Sequence, residues 1–561
     1  MSASFLAAAT IRSADSSALA AALHGIDIRV APVPPTQATG GLPPQTLARL
    51  ARSLAFSSLK PSFGACSVRP AGKALITTKA IQPSEVLLSV PLAHCWTVAA
   101  AKACGPLAAL GAEPLDAIAP ESLLALHMLI VKAERARAEQ TGAEPGPHSH
   151  HVELLGASPV ETLWDWSDGE LSALKGSKWS LAPQWSKQSA IDELDEYASY
   201  PPLRALLDAH GIDRASFLWA RQAVTARAMH FRSTAGFATA AGASSADSPL
   251  LVVAPGVDLF LLIGSSNGGG GGGSEPSATD GTAHHASGGG IFLEPSPSSS
   301  SISEACVVVR AQQSYAEGDE VRLDCGVGLS NGRRLLSGGA IEPSNPADAV
   351  ELAFTLPLHP AAVALYANLY EELDGAVPSS VEHNPLAHPE MDLLPAEFVE
   401  SAAAGEGGEG GEGGEGQPSA TDLVLHVRLG GGATCADQLR RVVRFFQAEI
   451  LGRAVASQGE RGSLTLESLT TPGSEAMAVT KLHETLKTLL AGYGGGSSGT
   501  PARSSAQPSV AEDEAALAAM DAAAASESAA QRRRRLALHV VVGEKRILIQ
   551  ALNLLRDWFD I

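Results

Sequence analysis

The chain has 561 residues, 45% of them hydrophobic, with 55 glycines, 35 prolines and a formal charge of −20. That length can bury two or three ordinary cores, and the excess of acid excludes a general nucleic-acid binder, because a polyphosphate backbone is repelled at long range. Six scattered cysteines without a CxxC pair exclude a zinc or disulfide framework and suit a reducing compartment.

Residues 1–60 are rich in Ala and Ser, carry only Asp15 and Asp27 as acids, and read as a disordered tail or a transit segment. Ala74-Leu75-Ile76 and Val86 to Val90, parted by Gln82-Pro83-Ser84, predict a hairpin. Leu123, Leu124, His127, Met128, Ile130 and Val131 form one face of a predicted helix over 121–139, and 164–230 is mainly helical by the same pattern. Strands are predicted at 250–253, 306–309 and 321–323. Between the first two, the tract 265–303, with six consecutive glycines at 268–273, reads as a disordered insertion. The longest apolar stretch, 249–264, contains Asp258 and falls short of the roughly 20 residues of a membrane span, so no transmembrane helix is expected.

Beyond Val350 the predicted elements are helices at 361–373, 437–451, 476–490 and 544–561. The last has Ile547, Leu548, Ala551, Leu552 and Leu555 on one face and must pack against other helices. Glycine-rich tracts at 402–420 and 492–508 read as linkers. His148, His150, His151 and the His284-His285 pair lie in polar sequence and read as solvated side chains rather than metal ligands. Arg532 to Arg535 reads as a solvated helix face, and Asp258 as a turn or helix-cap acceptor.

Several segments occur in one order: Gly72-Lys73-Ala74-Leu75-Ile76, Trp166-Ser167-Asp168-Gly169-Glu170-Leu171 with Leu174-Lys175-Gly176-Ser177, and Phe217 to Arg227-Ala228. Gly318-Asp319-Glu320-Val321, Cys325-Gly326, Ser330-Asn331 and Asn345-Pro346-Ala347-Asp348 follow. Together they resemble the SET-domain protein-lysine methyltransferases of the Rubisco large-subunit methyltransferase type. The resemblance implies an α+β chain: a β-rich, knotted SET domain over 61–349 with a helical insert at about 105–240, then an all-α substrate-binding-like domain over 350–561.

It further implies methyl transfer from S-adenosylmethionine to a protein lysine, the cofactor lying against Gly72, Ala74, Arg227, Leu261 and Leu262. Leu261 and Leu262 stand where the family has an Asn-His pair, and Cys325 stands where it has the tyrosine that orients the lysine amine. Gly338-Gly339-Ala340 replaces a Tyr-Gly-Phe element. Two functions are therefore expected: a methyltransferase with a weakened site, or a catalytically inactive SET-fold protein-binding module. The expected partner is a protein substrate held by the C-terminal helices. Nucleic acid, membrane and metal are not expected, a monomer is, and the plastid is the expected compartment, with cytoplasm or nucleus as alternatives.

Overall fold

The computed structural model describes residues 57–59, 63–71, 74–146, 148–157, 161–231, 250–258, 290–294, 305–311, 313–321, 329–343, 345–357, 362, 365–366, 369, 397–400, 421–457, 464, 469, 472–493, 510–524 and 527–559. The first strands are short: β1 (Ala65–Cys66), β2 (Val68–Ala71), β3 (Ala74–Thr77), β4 (Val86–Pro91) and β5 (Trp96–Thr97). Ala71 opposes Ala74, so β2 and β3 pair as neighbours in the chain. This corrects the predicted pairing of 74–76 with 86–90. A partner two residues away along the chain is cheaper to reach than one across a longer loop, and β4 instead pairs with β1 and with β9 (Cys306–Arg310).

Outside β9 lies β8 (Ile291–Glu294), with Ile291 buried. That strand sits inside the 265–303 tract read as an unpacked insertion, so the expectation fails for those residues; the sheet edge supplies the backbone partners that the local sequence does not announce. A further sheet has the order β5, β7 (Leu250–Val253), β6 (Met229–Phe231), and β10 (Glu320–Val321) adds to β3.

Helices fill the region between β5 and β6. The Thr97 Oγ1 accepts the Ala100 amide at 3.0 Å and starts the first of them. In α1 (Pro120–Thr141), every residue from Ser122 to Val131 is buried, which explains why its first half is apolar on all sides. Then come α2 (Ser149–Ala157), α3 (Ala182–Ser199), α4 (Pro201–His210) and α5 (Arg214–Thr225), the last begun by a reciprocal Asp213–Ser216 cap. Leu123, Leu126, Ile130, Val152, Phe217 and Val224 meet Trp96 in one core.

After α6 (Asn331–Gly338) the chain enters its C-terminal part through β11 (Ala349–Pro357). This strand pairs with β13 (Thr421–Gly430), which also pairs with β12 (Glu397–Glu400). The C-terminal part is therefore not all-α. Its helices are α7 (Ala433–Ser457), α8 (Pro472–Gly492), α9 (Val510–Ala522) and α10 (Ala529–Phe559). Val350, Phe354, Leu429, Phe446, Leu482 and Leu548 share its core, where Phe354 meets Phe446 edge to face at 5.4 Å.

The two parts are joined by α10. Its Leu536, Ala537, Val540 and Val541 pack with Leu163, Trp166, Leu174, Trp179 and Leu335, whereas Ile547, Leu548, Ala551 and Leu555 lie in the C-terminal core. At the start of this helix, Arg533 pairs with Glu161 and Glu170, and Arg535, 8% exposed, pairs with Glu527 and Asp521. Of the basic block read as a solvated face, Arg533 and Arg535 are paired within the molecule, whereas Arg534 is exposed. No described helix is long and apolar enough to cross a membrane.

Candidate functional site

Arg227 lies just past the end of α5, its amide still bonded to the Val224 carbonyl at 3.0 Å. Two residues later β6 begins, with Met229 opposite Val252 of β7. On the other side of β7, Val253 faces Trp96 of β5. The central strand then ends in Ala254, Pro255 and Gly256 and delivers Asp258, whose amide bonds to the Ala254 carbonyl. Sheet register thus brings Trp96, Arg227 and Asp258, distant in sequence, to one end of one small sheet.

There the Asp258 Oδ2 lies 3.6 Å from the Arg227 Nε, with the two side chains 1% and 2% exposed. Asp258 Oδ1 accepts the Gly256 amide at 2.8 Å, and Oδ2 lies 2.8 Å from the Nε2 of His151. The Trp96 indole N–H donates to His151 Nδ1 at 2.7 Å. An indole nitrogen can only donate, so the imidazole carries its proton on Nε2 and donates it to Asp258.

Burial alone would push the Asp258 carboxyl up, but His151, Arg227 and the Gly256 amide together hold it below the ordinary value of 3.8. Burial lowers the Arg227 pKa, and the Asp258 charge opposes that fall. A buried carboxylate of this kind is stable only while each neighbour remains in place.

His127 and His148 also surround Trp96, with ring centroids 5.0 and 4.5 Å away. Burial pushes their pKa values down to about 4 and about 3, His127, His151 and His94 contributing at His148. The reading of 148–151 as solvated is corrected: His150 is exposed, whereas His151 is fully buried on α2. Neither His151 nor Trp96 was a candidate site residue. Their partners are 55 and 107 positions away, so no local pattern marks them. Among the described residues no group of three or more His, Cys, Asp or Glu side chains is placed to hold a metal ion.

Ala74 is the first residue of β3. Among the described non-glycine residues only Ser84 and His148 have positive φ, so Ala74 needs no glycine-like backbone. Gly72, Leu261, Leu262 and Cys325 lie outside the described residues. The elements flanking these positions nevertheless share a core: Val68 and Leu75 beside Gly72, Val257 before the Leu261-Leu262 pair, and Val321 before Cys325 pack in the cluster that holds Met229. Asn331 and Asp348, separate motif residues in the sequence, are hydrogen-bonded to each other at 2.9 Å. Gly339 has φ +67°, and a Cβ there would lie 1.6 Å from the Glu161 carbonyl oxygen, so this position serves the end of α6.

No protein-family model matches the sequence, and no curated protein does. Solved structures do. A crystal structure of the SET domain of LSMT bound to lysine and AdoHcy is 15% identical, covers 91% of each chain and superposes with a TM-score of 0.52. Rubisco LSMT bound to AdoMet is 16% identical over 91% of this chain and 92% of its own, with a TM-score of 0.50. At this identity the likeness establishes architecture: the chain has the SET-methyltransferase fold.

Proposed function

We propose that the chain is a SET-fold protein-lysine methyltransferase that takes S-adenosylmethionine between the paired strands β2 and β3 and Arg227. What supports the reading is the meeting of Arg227 and Asp258, both buried, on the core shared with β2 and β3, in a fold whose solved neighbours include one bound to AdoMet. The fit is chemical. The amino-acid head of the cofactor carries one carboxylate and one ammonium, and a guanidinium beside a carboxylate presents the complementary charges.

When bound, the cofactor supplies an activated methyl group. The chain's own task is to align an acceptor amine and keep water out. Asp258, fixed by His151 and Gly256, holds a negative charge where Arg227 needs it, and Trp96 fixes His151. The C-terminal helices would hold the protein substrate, with the chain acting as a monomer. The Ala- and Ser-rich residues 1–60 favour the plastid.

A second reading, an inactive SET-fold protein-binding module, is favoured by Cys325 in the tyrosine position. A thiol is shorter and a poorer hydrogen-bond partner than a phenol. The two are separated by incubating wild type and Cys325→Tyr with S-adenosylmethionine labelled on its methyl and a plastid protein extract. Label on substrate lysines with wild type supports the enzyme. Label only with Cys325→Tyr, or with neither, supports the module.

A further inference from the structure

The seam between the SET body and the C-terminal part contains an acid that the proposed reaction does not use. Glu544, 3% exposed, lies on α10 where that helix crosses the entrance of β11. Its Oε2 accepts the Tyr493 hydroxyl at 2.8 Å, and the Ser177 hydroxyl also bonds to it. The preceding residue must be small, because a Cβ on Gly543 would come within 2.4 Å of the Asp348 Oδ2. The helix backbone is therefore pressed against one carboxylate while it presents another.

The surrounding charges are unevenly served. Glu351 is paired with Arg333 and Lys178. Asp348 is bonded by the backbone and side-chain nitrogens of Asn331 and by the Ala349 amide, with Arg428 nearby. Lys545, next to Glu544, points to Asp513 on α9 at 2.6 Å. Among the described residues no cation pairs with Glu544.

We propose that this seam is a proton-dependent latch, in which Glu544 as an uncharged acid holds α10 against the Ser177 turn and β11, and its ionisation releases the helix. Burial is the main cause that pushes the carboxyl up to about 8; the hydrogen bonds of Ser177 and Tyr493 oppose it, and Asp348 and Glu351 add to it. In a locally opened seam the same group ionises near its ordinary value of 4.5. The folded value is the raised one, so the latch is complete below the opened-state value and weakens with rising pH up to the closed-state value. Opening grows at most about tenfold per pH unit across that window and levels off above it. The latch is independent of the reaction proposed above: it sets how firmly the C-terminal part is seated, whichever chemistry the body performs.

Hydrogen exchange of the full chain tests this, with rates corrected for the intrinsic pH dependence and followed over residues 171–181 and 536–548. Between about pH 6 and about pH 8 the protection of both segments should fall by on the order of 100-fold and then level off, while the first half of α1 holds constant. Glu544→Gln, which keeps the polar contacts but cannot ionise, should leave only the shallow slope of the other groups. Asp348→Asn removes a charge that raises the Glu544 value, so levelling should move to lower pH; Tyr493→Phe removes a bond that lowers it, so levelling should move higher. A seam whose protection does not change with pH, a Glu544→Gln protein with the wild-type slope, or the same direction of movement in the last two variants would overturn the latch.

Discussion

Taking the imidazole away from position 151 leaves the Asp258 Oδ2 without its 2.8 Å partner and the Trp96 indole without an acceptor. Two buried polar atoms lose their hydrogen-bond partner and a void opens beside a fully buried ring, so His151→Ala should cost about 3 kcal/mol, read from urea unfolding. A loss below about 1 kcal/mol would show that the network is incidental. Asp258 gives a second test at the same place. Its folded pKa lies below the ordinary 3.8, so its contribution is complete above that value and is lost as pH falls through the folded one. Asp258→Asn should be less stable at neutral pH and show a shallower decline of stability below about pH 4 in acid unfolding. An unchanged acid limb would assign that decline to other carboxylates.

The element that most constrains the molecule is α10, because its two halves lie in different cores. The clasp at its start is partly exposed, with the Arg533 side chain 22% accessible, so its pairs with Glu161 and Glu170 are screened. Arg533→Ala should cost only about 0.5–1 kcal/mol, and the difference should vanish at high salt. A larger loss that salt does not reduce would mean the guanidinium works through packing. Against that, Leu548 is fully buried, and Leu548→Ala should cost about 3 kcal/mol in the same unfolding series. The apolar spacing of 547, 548, 551 and 555 announced only the second half of this helix, which begins at Ala529. The sheet beside it was missed although its signal was present: Leu423, Leu425, Val427 and Leu429 alternate with other residues, as do Val350, Leu352, Phe354 and Leu356. A Gly-Glu repeat precedes one run and helical patterns surround both, so each strand period is short beside its neighbours.

For the molecule as a whole, long elements such as α1 were legible because an apolar run longer than a strand needs, followed by charged residues, marks a buried helix. Strands of two residues, such as β1 and β5, were not, since they contain no period to read. For the same reason the motif order pointed to the fold, and Arg227 with it, but not to the side chains that complete its surroundings. Trp96 and His151 arrive there through sheet register and helix packing, which are tertiary facts. The proposed S-adenosylmethionine site lies beside the buried Arg227–Asp258 pair. Calorimetric titration of purified wild type and Arg227→Ala with S-adenosylmethionine tests it most directly. Saturable binding at or below about 1 mM by wild type, lost in a variant that keeps its helical circular dichroism, is the predicted result. No binding by wild type at that concentration, or equal binding by both proteins, would contradict it.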